Sequence, residues 1–267
     1  MSLGKGFALG FRSFFKAFEI VFSDWRLALF LIAPLALNVL LVWFGGNAFD
    51  ALADFVRNWL LSVLGLDDAT AGFMAKALSF VITYLFRFFF FLTFMYVGGY
   101  IILVIMSPVL AFISEMTEKK LTGKDYPFSG EKWMRDMLRG ILIVLRNLFI
   151  EIGILILVFL VSFIPIIGQV VSVFGFIILF VVSAYFYGFS FLDYCMERRN
   201  MKVKDSVIFI RKNKGLAISI GGLFGLCLMI PLCGPLLGTF ACIFATAGAS
   251  YAMVEYEKQN HAKHKDI

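Results

Sequence analysis

Charge is what this chain has least of. Only 16% of its 267 residues are Asp, Glu, Lys or Arg, against roughly 25% in an ordinary soluble domain. So few polar groups could not cover the apolar interior of a soluble fold this size, and the bilayer must serve as part of the solvent. Histidine is nearly absent: His261 and His264, the only two, stand in the polar tail. No His-Glu-x-x-His site exists, and the apolar segments hold no paired carboxylates, so an enzyme is not expected. Cys195, Cys227, Cys233 and Cys242 make no Cys-x-x-Cys pair. They read as small apolar side chains in helix packing rather than a zinc or disulfide framework. A Gly-x-x-x-x-Gly-Lys-Ser/Thr loop is missing too, which argues against ATP hydrolysis, and no cofactor is expected. Outside the apolar segments no Arg/Lys patch is interleaved with aromatics, so no nucleic-acid partner is expected despite the net charge of +6.

What the chain has is hydrocarbon. The hydrophobic share is 61% and the mean hydropathy +0.91. Backbone polar groups in lipid must pair internally, which leaves helices or closed barrels. The apolar stretches are continuous and do not alternate with period two, so barrel strands are excluded. The fold class is therefore an all-α polytopic integral membrane protein, read as one membrane domain over 1–267. It has an amphipathic interfacial helix, two long spans and two kinked helical hairpins.

The interfacial helix is expected over 3–23. Phe7, Phe11, Phe14, Phe15, Phe18 and Phe22 recur at helical spacing, with Lys5, Arg12, Lys16 and Glu19 opposite. These scattered charges also argue against a cleavable signal peptide. The first span covers 27–49, free of charge for 23 residues, where about 20 suffice to cross the hydrocarbon. Within it Pro34 and Asn38 share a face, and Asn38 either satisfies backbone near the proline or lines a solute path. The second span covers 77–106 and is expected to stop near Ser107-Pro108. Phe88 to Met106 alone nearly spans the bilayer, which puts Arg87 at the far interface, where it either snorkels or, if buried, serves a function. A helix then leaves the membrane toward Gly123, a C-cap candidate, and an amphipathic helix begins at Ser129.

Two uncharged runs follow, 152–192 and 215–254, each about twice one span. Each breaks at a related signal: Ile164-Pro165-Ile166-Ile167-Gly168 and Ile230-Pro231-Leu232-Cys233-Gly234. Each run is thus a hairpin, and the pair forms a degenerate internal repeat. The tips either stop part-way through the bilayer or complete a full crossing with flanking charges snorkelling. Gln169 and Ser172, just past the first tip, either line a pore or satisfy freed backbone there. A polar tail closes the chain over 255–267. Crossing twice and returning twice collects 21 of 24 Lys and Arg on one face. The positive-inside rule makes that face, with both termini, cytoplasmic.

The order of features resembles the CysZ-type sulfate permeases, grouped with the eukaryotic etoposide-induced membrane proteins. It is carried by Pro34-x-x-x-Asn38, Ser107-Pro108 followed by Glu115 and Leu121-Thr122-Gly123, Phe163-Ile164-Pro165-x-Ile167-Gly168-Gln169, Tyr194-Cys195, Ile230-Pro231 and Ala245-Thr246-Ala247. The resemblance implies a multi-pass inner (plasma) membrane protein, a homo-oligomer, and sulfate uptake for sulfur assimilation and cysteine biosynthesis. A non-transporting relative with a stress-response or membrane-organising role is the alternative. The family's sulfate motif, Gly-Leu-Arg-Arg at the start of the first span, is matched only in part by Asp24-Trp25-Arg26-Leu27. Arg26, with Trp25, is the expected anion-binding group by that resemblance; otherwise Arg26 is an interfacial anchor.

Overall fold

The computed structural model describes residues 1–40, 43–44, 46–64, 72–93, 99–124, 130–164, 167–199, 201–230 and 233–265, and their regular structure is helical. In chain order the helices are α1 (Leu3–Phe22), α2 (Trp25–Leu29), α3 (Ile32–Leu40), α4 (Gly46–Leu64), α5 (Gly72–Thr93), α6 (Gly99–Thr122), α7 (Gly130–Val161), α8 (Ile167–Arg198), α9 (Val203–Lys212), α10 (Lys214–Leu228) and α11 (Gly234–Lys265). Among the described residues four stretches are long and apolar enough to cross a membrane: Gly99–Thr122, Met137–Val161, Phe174–Arg198 and Leu236–Asn260. The chain is an all-α polytopic membrane protein.

The amphipathic start forms α1, but its phenylalanines divide. Phe14 is buried with Ser13, Ala17, Ile20 and Val21, whereas Phe7, Phe11, Phe15, Phe18 and Phe22 stay exposed. One stripe packs on α10 and α11, and the remaining rings form an apolar surface beside it. After Phe22 the chain turns by 98° into the Trp25–Leu40 pair α2 and α3. The region expected as one span over 27–49 is thus distributed over α2, α3 and the start of α4.

The expected span over 77–106 falls across α5 and α6, which ends the first at Thr93 and starts the second at Gly99. Nor does Ser107-Pro108 stop the helix: Pro108 lies inside α6. A proline removes one backbone donor and frees the carbonyl four residues back, a cost that neighbouring helices and nearby polar side chains absorb in a membrane bundle. The helix ends where glycine requires it. Gly123 has φ +69°, and its N–H bonds the Lys119 carbonyl at 2.8 Å, a left-handed C-cap. The Ser129 N-cap lies outside the described residues.

Both hairpins form, and their tips close alike. The Gly168 N–H donates to the Ile164 carbonyl at 2.7 Å, and the Gly234 N–H to the Ile230 carbonyl at 2.7 Å. In each, a Cβ on the glycine would run into the carbonyl of the residue six before it, Ser162 or Leu228. The internal repeat is therefore one of backbone geometry as well as of sequence. The arms differ. α7 and α8 have 32 residues each, about 48 Å of helix, because α7 begins well before residue 152. The second hairpin pairs the 15-residue α10, about 22 Å long, with the long α11.

Lipid gives helices no hydrophobic reason to associate, so small residues that allow close backbone contact decide the packing. Gly188 of α8 lies against the Ala217 carbonyl of α10, and Gly221 of α10 against the Ala184 carbonyl of α8. A side chain at either site would meet backbone, which cannot swing aside. Gly188→Val is expected to destabilise the protein by about 1–3 kcal/mol through overpacking. A thermal unfolding scan in detergent would detect this as a lowered midpoint, whereas an exposed control such as Gly4→Ala, with nothing within 4 Å of the new Cβ, should leave it in place.

Candidate functional site: a cationic cavity and a polar seam on α6

The corner between α1 and α2 is built by one acid and one lysine. Asp24 caps α2, its Oδ1 accepting the Arg26 backbone N–H at 3.0 Å. Lys120, reaching over from α6, donates to the Ile20 carbonyl at 3.1 Å and to Ser23 Oγ at 2.8 Å. Its Nζ is also 4.0 Å from Asp24 Oδ2. The lysine thus satisfies a carbonyl that the end of α1 leaves open, and it partly offsets the acid.

A cavity of about 800 Å³ opens beside this corner, between α2 and α6. Arg26, Lys119 and Lys120 bring positive charge to its wall, and Asp24 and Glu115 bring negative charge. Phe30 and Phe112, whose ring centroids are 5.3 Å apart, form part of its apolar lining. The guanidinium of Arg26 lies 5.9 Å from the Trp25 ring centroid, and Trp25 itself is exposed. Among the described residues the Arg26 side chain makes no hydrogen bond. An indole edge and an uncommitted, planar guanidinium can together receive an oxyanion.

The interior holds a second arrangement. Tyr100, Ser107, Ser114 and Glu118 are all buried on one face of α6, with spacings of seven, seven and four residues. Eighteen residues of helix span about 27 Å, close to the roughly 30 Å hydrocarbon thickness. Each member has partners from other helices. The Tyr100 hydroxyl donates to Glu151 of α7, as does Ser183 of α8. Tyr194 of α8 donates to Ser107 at 2.9 Å. Ser114 is 2.8 Å from the Ser250 hydroxyl of α11 and receives Arg198 at 2.7 Å. Glu118 accepts Arg198 at 2.9 Å and Arg199 at 3.3 Å.

Alongside this seam Arg139 of α7 pairs with Asp193 of α8 at 3.0 Å and also reaches Ser206 and the Met201 carbonyl at 2.9 and 2.7 Å. Arg199 donates to Glu257 as well. Burial opposes the charge on Arg199, but the Glu257 hydrogen bond and the nearby Glu118 carboxylate outweigh it and raise its pKa. It therefore keeps its proton.

Of the residues singled out from sequence, Arg26 and Trp25 are brought to the cavity corner together. Asn38 is buried, and its amide donates to the Pro34 carbonyl at 2.8 Å and to Thr239 of α11. It therefore ties α3 to α11 and satisfies backbone, the packing alternative. Gln169 is exposed on the first turn of α8, and the Ser172 side chain lies outside the described residues. Ser162, Ser219, Thr239 and Thr246 all donate to carbonyls of their own helices. The seam was not anticipated, although one signal was present. Tyr100, Ser107 and Ser114 keep a heptad spacing that would have been legible once the helix was carried through Pro108.

Glu118 and Arg198 are almost fully enclosed, with side-chain exposures of 6% and 5%. Removing one member of such a pair leaves the other charge buried and unmatched. Glu118→Ala is thus expected to cost about 3–5 kcal/mol. A fall in the unfolding midpoint larger than that of Lys16→Ala, whose Glu19 pair is exposed, would confirm it, and equal small shifts would refute it.

The family described as sulfate transporter CysZ/etoposide-induced protein 2.4 matches residues 13–237, and the chain belongs to that family.

Proposed function

We propose that this chain moves a small inorganic anion across the membrane, with sulfate the leading substrate, in uptake that feeds sulfur assimilation and cysteine biosynthesis. The observation that carries the reading is the cavity where Arg26, Lys119 and Lys120 meet beside an exposed tryptophan. A guanidinium binds a tetrahedral oxyanion through paired N–H donors, and the lysines add point charge. Asp24 spends its carboxylate on the α2 cap and on Lys120, which lowers its repulsion of an arriving anion. The bias of Lys and Arg to one face supports cytoplasmic termini and an inner (plasma) membrane location. Under this reading Arg26 and Trp25 form the anion-binding site. Gln169 and Ser172 are retained as pore-lining proposals near the first hairpin tip, whereas the hydrogen bonds of Asn38 favour its structural role. A homo-oligomer would allow a path between subunits.

A second reading has a specific observation in its favour. The interior polar side chains are bonded largely to one another or to helix backbone, as a rigid membrane protein with no transported solute would have them. Sulfate flux into proteoliposomes separates the two. The native protein should exceed empty vesicles, and Arg26→Ala should reduce the flux about tenfold, the loss of a charge-assisted hydrogen-bonding group. No uptake above empty vesicles would leave the non-transporting reading, and equal uptake by both proteins would remove Arg26 from the site.

A further inference from the structure

Two further cations, Arg146 and Arg211, lie away from the cavity, on the flank made by α7, α8 and α9. Arg146 stands within the apolar stretch Met137–Val161 of α7. Its guanidinium carbon lies 5.7 Å from the Phe189 ring centroid. Nη1 is buried without a hydrogen-bond partner, and the side chain makes no hydrogen bond or ion pair among the described residues. Tyr185, one turn before Phe189 on α8, has its ring centroid 6.5 Å from that of Phe189. The guanidinium groups of Arg211, at the end of α9, and of Arg146 both act electrostatically on the Tyr185 hydroxyl. Among the described residues neither that hydroxyl nor Arg211 has a hydrogen-bond partner. The nearby carboxylate is Asp193, on which Arg146 also acts, but its oxygens are taken by Arg139 at 3.0 and 3.1 Å.

Arg146 and Tyr185 therefore share the Phe189 ring, Arg211 is close enough for its charge to act on the same hydroxyl, and none of the three has an acceptor among the described residues. The surroundings identify the source of the missing anion. Leu142, Phe149 and Ile150, on the same α7 face as Arg146, are exposed at 66%, 70% and 37%, a surface for acyl chains. An unmatched cation in a membrane helix is costly. The oxyanion that a bilayer itself provides at the edge of such a surface is a lipid phosphate. We propose that Arg146, Arg211 and the Tyr185 hydroxyl bind the phosphate headgroup of an anionic membrane lipid. The site shares no residue with the Arg26 cavity and does not rest on the transport reading.

Native mass spectrometry of the full chain in detergent tests this, with phosphatidylglycerol and phosphatidylcholine offered at equal concentration. The native protein should retain phosphatidylglycerol in preference. Arg146→Gln and Arg211→Gln should each reduce that retention about fivefold, and Arg211→Lys should lose less than Arg211→Gln. Arg211 is exposed, so its variants keep the test decisive if Arg146→Gln fails to fold. Unchanged retention in Arg211→Gln would overturn the proposal, as would equal binding of the two lipids by the native protein. Displacement of the lipid by millimolar inorganic phosphate would assign the site to a free oxyanion and overturn the lipid source.

Discussion

Hydrocarbon offers no partner to a hydrogen-bonding group, so a polar atom carried into the bilayer draws its partner from the protein or from a lipid headgroup. That constraint explains α6. Its buried face carries a tyrosine, two serines and a glutamate, and four other elements supply what these groups need: Glu151 from α7, Tyr194 and Arg198 from α8, Arg199 from the turn beyond it, and Ser250 from α11. Such bonds are directional in a way that apolar packing is not. They fix the rotation of each helix about its axis, because a helix turned by one residue would leave a serine facing lipid and an arginine without its carboxylate. The seam thus specifies the arrangement, and the small residues make it compact.

The compactness comes from two backbone contacts. Gly188 and Gly221 bring α8 and α10 together closely enough that each carbonyl of one helix occupies the space a Cβ of the other would need. α1 then lays its Ser13–Phe14–Ala17 stripe over α10 and α11. The two hairpin tips act at the opposite level of organisation. Gly168 and Gly234 close on isoleucine carbonyls in the same way, and the two hairpins differ in the length of their first arms. The short α10 is largely enclosed by neighbours, which is where a helix with many small residues and little bulk is tolerated.

Much of this was legible in the sequence for clear physical reasons. Long uncharged runs require helices in lipid, Pro-x-x-Gly marks a reversal, and Gly123 marks a helix end. What was not legible depended on tertiary context. Pro108 looked like a terminator because proline disfavours a soluble helix, whereas a membrane bundle carries it through. The expectation over 77–106 rested on hydropathy alone, and the described residues place it in two helices, α5 and α6. Asn38 could not be assigned from its neighbours, since one of its partners, Thr239, is 201 residues away. Glu151 and Asp193 marked the boundaries of apolar runs in sequence, and only the positions of Tyr100, Ser183 and Arg139 reveal that they are interior partners.

The cavity corner illustrates how a departure from a family motif can be read physically. Where the family carries a glycine and two arginines, this chain has Asp24, Trp25 and Arg26. An acid there would be unfavourable for an anion site if it were merely added. Here its carboxylate takes the Arg26 backbone N–H, and Lys120 draws toward it while holding the end of α1. Two of the cavity's charges are therefore already engaged in building the corner. Lys119 is not free either. That leaves the Arg26 guanidinium as the cation whose donors are uncommitted, and it lies on the rim beside an exposed indole rather than deep in the wall. An oxyanion arriving from water would meet Arg26 first, and would need to compete with Asp24 for Lys120 before the corner could contribute more charge.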